Sequence, residues 1–310
     1  MLSEVIEITV LEAMTPENEE KAVRAPFWTR TGLIALSGIM LFIGSVMRVI
    51  DIFVLGLGDD WINILPSKLI PLLILVTVFL KYRTAETESI LGLSRYNVKS
   101  FIVFGILFGV ALYLTTDVLS FIVYAAIDTT VALEFSVVAA PAMLVYTFFF
   151  FAVNAIYEET LFRGLIQNSF AARYGSIPGI LISAAIFGVW HITWPFQRAM
   201  ETGIFPVGEA VVMVVFSGIL GAVFGICYDR YSARKTLVGT ITAHTLLNYF
   251  NENLKFALDT GMQGPDLSFV NSTHMAIGLL FALGFFIFSI IYFWRYRLDD
   301  VVSRIGRMRS

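Results

Sequence analysis

The sequence predicts an all-α, polytopic membrane protein with about eight transmembrane helices and both termini in the cytoplasm. Three observations lead to this prediction. Hydrophobic residues make up 57% of the 310-residue chain, and the mean hydropathy is +0.79. The apolar residues are grouped in segments long enough to cross a bilayer, and the basic residues cluster in every second connection. This composition is too apolar for a soluble domain of the same length.

Eight apolar windows can be drawn along the chain, each close to the roughly 20 residues that a helix needs to cross the hydrocarbon core. They cover residues 31–51, 62–80, 101–126, 137–157, 178–193, 207–228, 236–250 and 274–295. Helices are required because lipid offers no hydrogen-bond partner to an exposed backbone. The segment lengths do not fit the alternating pattern of a β-barrel.

Lysine and arginine placement predicts the orientation, because short cytoplasmic loops carry an excess of positive charge. With eight spans, 17 of the 21 basic residues fall on the side of the two termini. Lys68, Arg198 and Lys255 fall on the other side, and Arg48 lies within the first span. Both termini are therefore expected to be cytoplasmic.

Domain organisation follows from the same pattern. Residues 1–26 read as a cytoplasmic tail without the basic start and apolar core of a secretory signal, residues 27–296 as one membrane domain, and residues 297–310 as a basic cytoplasmic tail. The single cysteine, Cys227, allows no intramolecular disulfide. The expected partners are the lipid bilayer and a membrane-associated peptide or protein, with no nucleic acid; the oligomeric state stays open.

Charged residues inside the apolar windows require an explanation. An ionised side chain in the bilayer costs at least about 2.5–3.5 kcal/mol on insertion scales unless it is paired or wetted. Arg48 and Asp51 lie three residues apart on a helix and can pair with each other. Asp117, in "LTTDVLS", has no such neighbour, and the sequence does not place it.

The stretch "YEETLFRG" at 157–164 adds two glutamates and an arginine at the end of a fourth apolar window. Glu159 and Arg163 have the favourable i, i+4 spacing for a helical ion pair. Glu158 projects about 100° away around the helix and is expected to have no local counter-ion. An uncompensated, buried carboxylate is suited to proton transfer, so Glu158 is the candidate for chemistry. Alternatively, both glutamates only bond to neighbouring helices.

Two further windows carry polar groups at helical spacing. "FGVWH" ends at His191, and "HTLLN" places His244 and Asn248 on one face. A lone histidine is more often a satisfied interior residue than a catalyst. Together with Glu158, however, the two imidazoles and the carboxamide can activate water and stabilise an oxyanion. The same residues can bind a divalent metal, which the sequence does not exclude.

The ordered motifs resemble a known family. Glu-Glu-x-x-x-Arg at 158–163, Phe-x-x-x-His at 187–191 and His-x-x-x-Asn at 244–248 look like the signature of the CAAX-protease and bacteriocin-processing (CPBP, abortive-infection) family. This family of intramembrane glutamic endopeptidases includes the type II CAAX prenyl endopeptidases. The resemblance covers residues 141–250 and does not reach the first three spans.

The resemblance implies an eight-helix intramembrane endopeptidase that needs no cofactor. Glu158 with His191 would activate the attacking water, and His244 with Asn248 would hold the oxyanion. Glu159 and Arg163 would support the site. The substrate would be a membrane-associated chain, of the prenylated CAAX type in part of the family. Cys227 lies outside the motifs and is not expected to be a nucleophile.

Two other functions fit a membrane protein with buried charges. A transporter also places charges at mid-depth, but the sequence has no inverted repeat or pair of broken helices in matching halves. A non-catalytic scaffold or immunity protein can share the fold, because fold alone does not establish activity. In each case the chain is expected to be a multi-pass integral membrane protein, in the cell membrane if the source is prokaryotic.

Overall fold

The architecture is that of a helical membrane protein, seen in a computed structural model that describes residues 26–57, 61–132, 135–137, 140–256, 262–264 and 267–309. The predicted N-terminal tail, apart from Pro26, lies outside the described residues. A short helix α1 (Phe27–Arg30) precedes the first long helix.

Eight principal helices coincide with the eight apolar windows. They are α2 (Leu33–Val54), α3 (Leu65–Tyr82), α5 (Val98–Ile127), α6 (residues 141–174), α7 (Ser176–Thr202), α8 (Val207–Tyr231), α9 (Val238–Asn253) and α10 (Ser272–Arg295). Six of them are long and apolar enough to cross a membrane; α6 and α9 are the other two. Helix α6 contains the charged motif, and α9 has only 16 residues. The multi-pass membrane architecture is therefore confirmed, whereas the number of eight crossings and the sides of the termini stay predictions.

Short elements complete the described chain. Helix α4 (Thr87–Leu91) follows α3, and α11 (Leu298–Arg309) occupies the predicted C-terminal tail. Single 3₁₀ turns lie at Trp61–Asn63 and Thr84–Glu86. Two antiparallel ribbons pair β1 (Phe135–Val137) with β2 (Leu254–Phe256) and β3 (Met262–Gly264) with β4 (Leu267–Phe269). These short ribbons lie in the connections between helices, so the architecture remains helical.

Five of the long helices contain a π-helical segment, and each segment carries an ionisable side chain. The segments are Ile50–Val54 in α2, Leu65–Leu69 in α3, Leu114–Leu119 in α5, Thr160–Ile166 in α6 and Cys227–Tyr231 in α8. A π-helical turn widens the helix locally and recurs at functional sites. Here these turns carry Asp51, Lys68, Asp117 and Arg163, four of the charged residues within the spans.

Glycines allow the helices that bear the site to pack closely. Gly175 adopts φ +91° and makes the turn between α6 and α7. At Gly164 an added Cβ would lie 2.8 Å from the backbone oxygen of Leu91, and at Gly188 it would overlap with the carbonyl oxygen of Val214. The backbones of α4 and α6, and of α7 and α8, therefore approach each other directly.

Candidate active site

Glu158 and Glu159 end the first part of α6, Pro141–Glu159, directly before its π-helical turn. Both side chains are buried. Glu159 Oε1 lies 3.3 Å from Arg163 Nη1, which is the ion pair that the spacing predicts. The Arg163 guanidinium also stacks on the ring of Phe187 at 4.1 Å. Arg163 therefore joins α6 to α7 at the level of the glutamates.

Glu158 has a counter-ion, so the prediction that it lacks one is wrong. The Lys68 ammonium lies 2.9 Å from Glu158 Oε1 and donates a hydrogen bond to it. Trp190 Nε1 donates to the same oxygen at 3.2 Å. Spacing along one helix reveals only same-helix partners, whereas Lys68 lies 90 positions earlier, on α3. The signal in the sequence is a lysine inside the apolar window 62–80.

His244 lies between the two glutamates. Its Nδ1 is 2.9 Å from Glu159 Oε1, and its Nε2 is 3.6 Å from Glu158 Oε2. Because a carboxylate oxygen accepts, Nδ1 donates to Glu159, and Nε2 can donate as well only when the ring is an imidazolium. The motifs of α6 and α9 are thus brought into direct contact.

His191 follows the main part of α7, Ser176–Trp190. Its Nδ1 donates to the carbonyl oxygen of Phe187 at 2.9 Å, since a carbonyl can only accept. In the neutral ring Nε2 then carries the lone pair and can accept a proton. His191 is within electrostatic range of Glu158. A general base needs this arrangement, in which one ring nitrogen is fixed and the other is basic.

A cavity of about 50 Å³ lies beside these residues, and His191, His244 and Asn248 contribute to its wall. This volume has room for water. Apolar side chains from α7, α8 and α9 form much of the rest of the lining, among them Phe187, Leu220 and Leu247. In the part of the chain that the structure describes, Glu158 does not line the cavity. Its Oε2 lies 3.6 Å from Nε2 of His244, which does line it.

Asp117 lines the same cavity, and the sequence did not place it. The amide of Asn251 donates to Asp117 Oδ1 at 3.1 Å, and the Thr116 hydroxyl donates to Oδ2. Asn251 lies one turn beyond Asn248 on α9. The π-helical turn of α5 thereby places a carboxylate at the wall of the candidate site.

The predicted Arg48–Asp51 neighbourhood belongs to a larger polar group. Arg48 Nε donates to the Thr193 hydroxyl at 2.7 Å, and its guanidinium lies 5.0 Å from the rings of both Trp190 and Trp194. Asp51 is within electrostatic range of both Arg48 and Lys68. A same-helix pair is therefore too simple a description, because α3 and α7 take part as well.

Two basic residues of the orientation count are buried in helices. The charge pattern predicts Arg163 in a cytoplasmic loop and Lys68 in a loop on the opposite side, but both lie inside long helices. Their removal leaves sixteen basic residues on the side of the termini and two on the other side. The asymmetry behind the predicted orientation therefore persists.

Cys227 and a metal ion were the alternatives to acid–base chemistry. The Cys227 side chain is fully buried in an apolar cluster with Phe224 and Tyr231. Within the described part of the chain, no three His, Cys, Asp or Glu side chains are arranged to hold a metal ion. The ion pairs of Glu158 with Lys68 and of Glu159 with Arg163 each use the Oε1 oxygen of the carboxylate.

The fold and the site define a multi-pass helical membrane protein with a buried glutamate–histidine centre. Residues 140–250 match the family model described as type II CAAX prenyl endopeptidase Rce1-like, which supports the resemblance to the CAAX-protease family that the motifs indicate. No curated protein and no solved structure matches the chain. The matched range contains all three motifs and indicates a membrane protease of the CAAX type.

Proposed function

We propose that this protein is an intramembrane endopeptidase that hydrolyses a peptide bond of a membrane-associated protein, using water activated by Glu158 and His191. The contact of His244 with both Glu158 and Glu159 supports the proposal most strongly. It brings two separate motifs to one point beside a cavity that His191 and Asn248 also line. The family match adds the expectation of a CAAX-type substrate.

The reaction begins with the attack of water on the scissile carbonyl carbon. The water oxygen forms the new C–O bond while a proton passes to His191 Nε2, the basic nitrogen of a ring fixed at Phe187. The negative charge of Glu158 stabilises the imidazolium that forms. The C–N bond then breaks, and the proton moves from His191 to the leaving nitrogen, so the products are a carboxylic acid and an amine, which ionise to a carboxylate and an ammonium.

The oxyanion of the tetrahedral intermediate requires hydrogen-bond donors. The Asn248 carboxamide at the cavity wall supplies N–H groups for this role. His244 supplies a second donor from Nε2 when its ring is an imidazolium, because Nδ1 is already directed at Glu159. Glu159 and Arg163 act as support, since they orient the His244 ring and anchor α6 to α7.

A comparison of Glu158→Gln with the native protein tests this function. Mass spectrometry of membrane-protein C-termini in cells with either form should reveal termini that only the native protein generates. Synthetic peptides spanning those cleavage sites should be hydrolysed by the purified native protein and not by the folded variant. Glu209→Gln is the matched control, because Glu209 pairs with Arg198 away from the cavity.

Near-normal hydrolysis by a well-folded Glu158→Gln protein would contradict the proposal. Identical C-termini in both cell types would instead favour the non-catalytic scaffold or immunity protein. A transporter would be indicated if Glu158→Gln abolished the movement of a solute across vesicles and no peptide were cleaved by either form.

A further inference from the structure

Lys68 is a buried lysine outside the family match, which begins at residue 140. It lies in the π-helical turn Leu65–Leu69 at the start of α3, two residues after Pro66. An ammonium group is rarely buried without a partner, because removing it from water costs several kcal/mol. Its partner is Glu158, at 2.9 Å.

The geometry around Glu158 distinguishes its two oxygens. Oε1 accepts two hydrogen bonds, from Lys68 Nζ and from Trp190 Nε1. Oε2 faces the imidazole of His244, 3.6 Å away. The two donors hold the carboxylate in one orientation, and that orientation determines which oxygen is directed towards the candidate chemistry.

The position of Lys68 is itself supported by its surroundings. Its ammonium lies 5.7 Å from the Trp190 ring, so the same indole contacts both members of the ion pair. Asp51, on the π-helical turn of α2, lies within electrostatic range of Lys68. Helices α2, α3 and α7 therefore converge on a single salt bridge to α6.

We infer that Lys68 is a positioning residue that holds the Glu158 carboxylate ionised and turns Oε2 towards His244. This inference rests on the proposed function for the role of Glu158 in catalysis, but the salt bridge itself does not depend on that role. It extends the site from the three motifs within residues 158–248 to helix α3.

Several charged groups face Glu158 and must be considered together. They are Lys68 on α3, Arg48 on α2, His191 on α7 and His244 on α9, with Glu159 and Arg163 on α6 itself. Lys68 donates a hydrogen bond directly to Oε1. Its removal should therefore make Glu158 easier to protonate while leaving the imidazoles in place.

The first test is the pH profile of kcat/KM for Lys68→Met, Lys68→Arg and Lys81→Met. A positive charge within hydrogen-bonding distance lowers the pKa of a carboxyl group by roughly one to three. The acidic limb reflects both Glu158, which must be ionised, and His191, which must be neutral, and loss of the Lys68 charge favours protonation of both. Lys68→Met should therefore move the limb to higher pH by up to roughly that amount, and activity should recover partly as the pH rises. Lys68→Arg keeps the charge and should leave the limb near its native position. Lys81→Met, on the exposed end of the same helix, should leave the profile unchanged.

The second test is a double-mutant cycle in thermal unfolding, which needs no activity. Removing one member of a buried pair leaves an uncompensated charge, whereas removing both can be nearly neutral. Lys68→Met should lower Tm, and adding Glu158→Gln to it should restore Tm towards the native value. Adding Glu209→Gln to Lys68→Met should not restore Tm.

The outcomes separate this inference from the proposed function. A Lys68→Met protein with uniformly lower activity, an unmoved acidic limb and no coupling to Glu158 would overturn the inference. If the Glu158→Gln protein were instead fully active while the unfolding cycle still showed coupling, the proposed function would fail and the salt bridge would stand. A moved limb together with coupling would support both.

Discussion

Glu159 illustrates how one carboxylate can hold several parts of the site. It pairs with Arg163 at 3.3 Å and accepts from His244 Nδ1 at 2.9 Å, and its side chain is fully buried. We predict that Glu159→Gln destabilises the protein by about 3–5 kcal/mol, because it leaves the Arg163 charge buried without its partner. Activity should fall as well, since His244 loses its orientation.

Thermal and denaturant unfolding in detergent measures this loss. Glu209→Gln is the control, because the partly exposed Arg198–Glu209 pair should contribute less than about 1 kcal/mol. An equally small effect of Glu159→Gln would show that Arg163 is satisfied without Glu159.

Asn248 provides a prediction about the transition state. If its amide donates to the developing oxyanion, Asn248→Ala should lower kcat by roughly 10²–10³-fold and change KM little. Asn248→Asp should be equally impaired, because it replaces the donor with an acceptor of the same shape. Steady-state kinetics on a peptide substrate separates the two parameters; an effect on KM alone would assign Asn248 to substrate binding.

Metal dependence gives the third prediction at the scale of residues. Glu158 and Glu159 are already engaged by Lys68 and Arg163, and Asn248 is a poor zinc ligand but a good hydrogen-bond donor. The purified protein should contain less than stoichiometric zinc and keep its activity after prolonged treatment with a strong chelator. Activity lost to the chelator and restored by one specific divalent metal would make Glu158, His191 and His244 ligands instead.

At the scale of elements, the contact between α7 and α8 positions His191. Gly188 is one turn before His191, and its Cα faces the backbone of Val214 and Gly218 so closely that a methyl group would overlap with α8. We predict that Gly188→Ala forces the helices apart, destabilises the protein by about 1–3 kcal/mol and lowers kcat. The physical cause is overpacking next to a catalytic side chain.

Gly218 supplies the matched control for this prediction on the facing helix. A Cβ added there would meet its nearest neighbour, the oxygen of Ala184, at 3.6 Å, which is ordinary van der Waals contact. Gly218→Ala should therefore be tolerated, with a stabilisation of up to about 1 kcal/mol from helix propensity. Equal Tm values and activities for the two variants would argue against close packing as the constraint.

At the scale of the whole molecule, the positive-inside asymmetry predicts that both termini and the 82–99 connection face the cytoplasm. The single native cysteine is fully buried, so single introduced cysteines can report accessibility. Ser89→Cys should react with a membrane-impermeant maleimide only from the cytoplasmic side, whereas Glu201→Cys should react only from the opposite side. Labelling of both positions from the same side would overturn the eight-span arrangement.

Much of the membrane architecture was predictable from the sequence because the bilayer imposes local rules. Apolar length defines a spanning helix, and a helical spacing of four residues places Glu159 beside Arg163. The turn at Gly175 and the three motifs were likewise visible as short patterns in the chain. These features depend on residues that are near each other in sequence.

Only the tertiary structure decided which distant charges meet. Lys68 reaches Glu158 from another helix, His244 enters between two carboxylates, and Asp117 meets Asn251 across the cavity. Sequence spacing does not encode these pairs, because helix rotation, the π-helical turns and the close approach at glycines determine which side chains face each other. The sequence by itself thus determined the membrane fold class and the candidate residues, whereas helix packing determined the partners that make those buried charges stable.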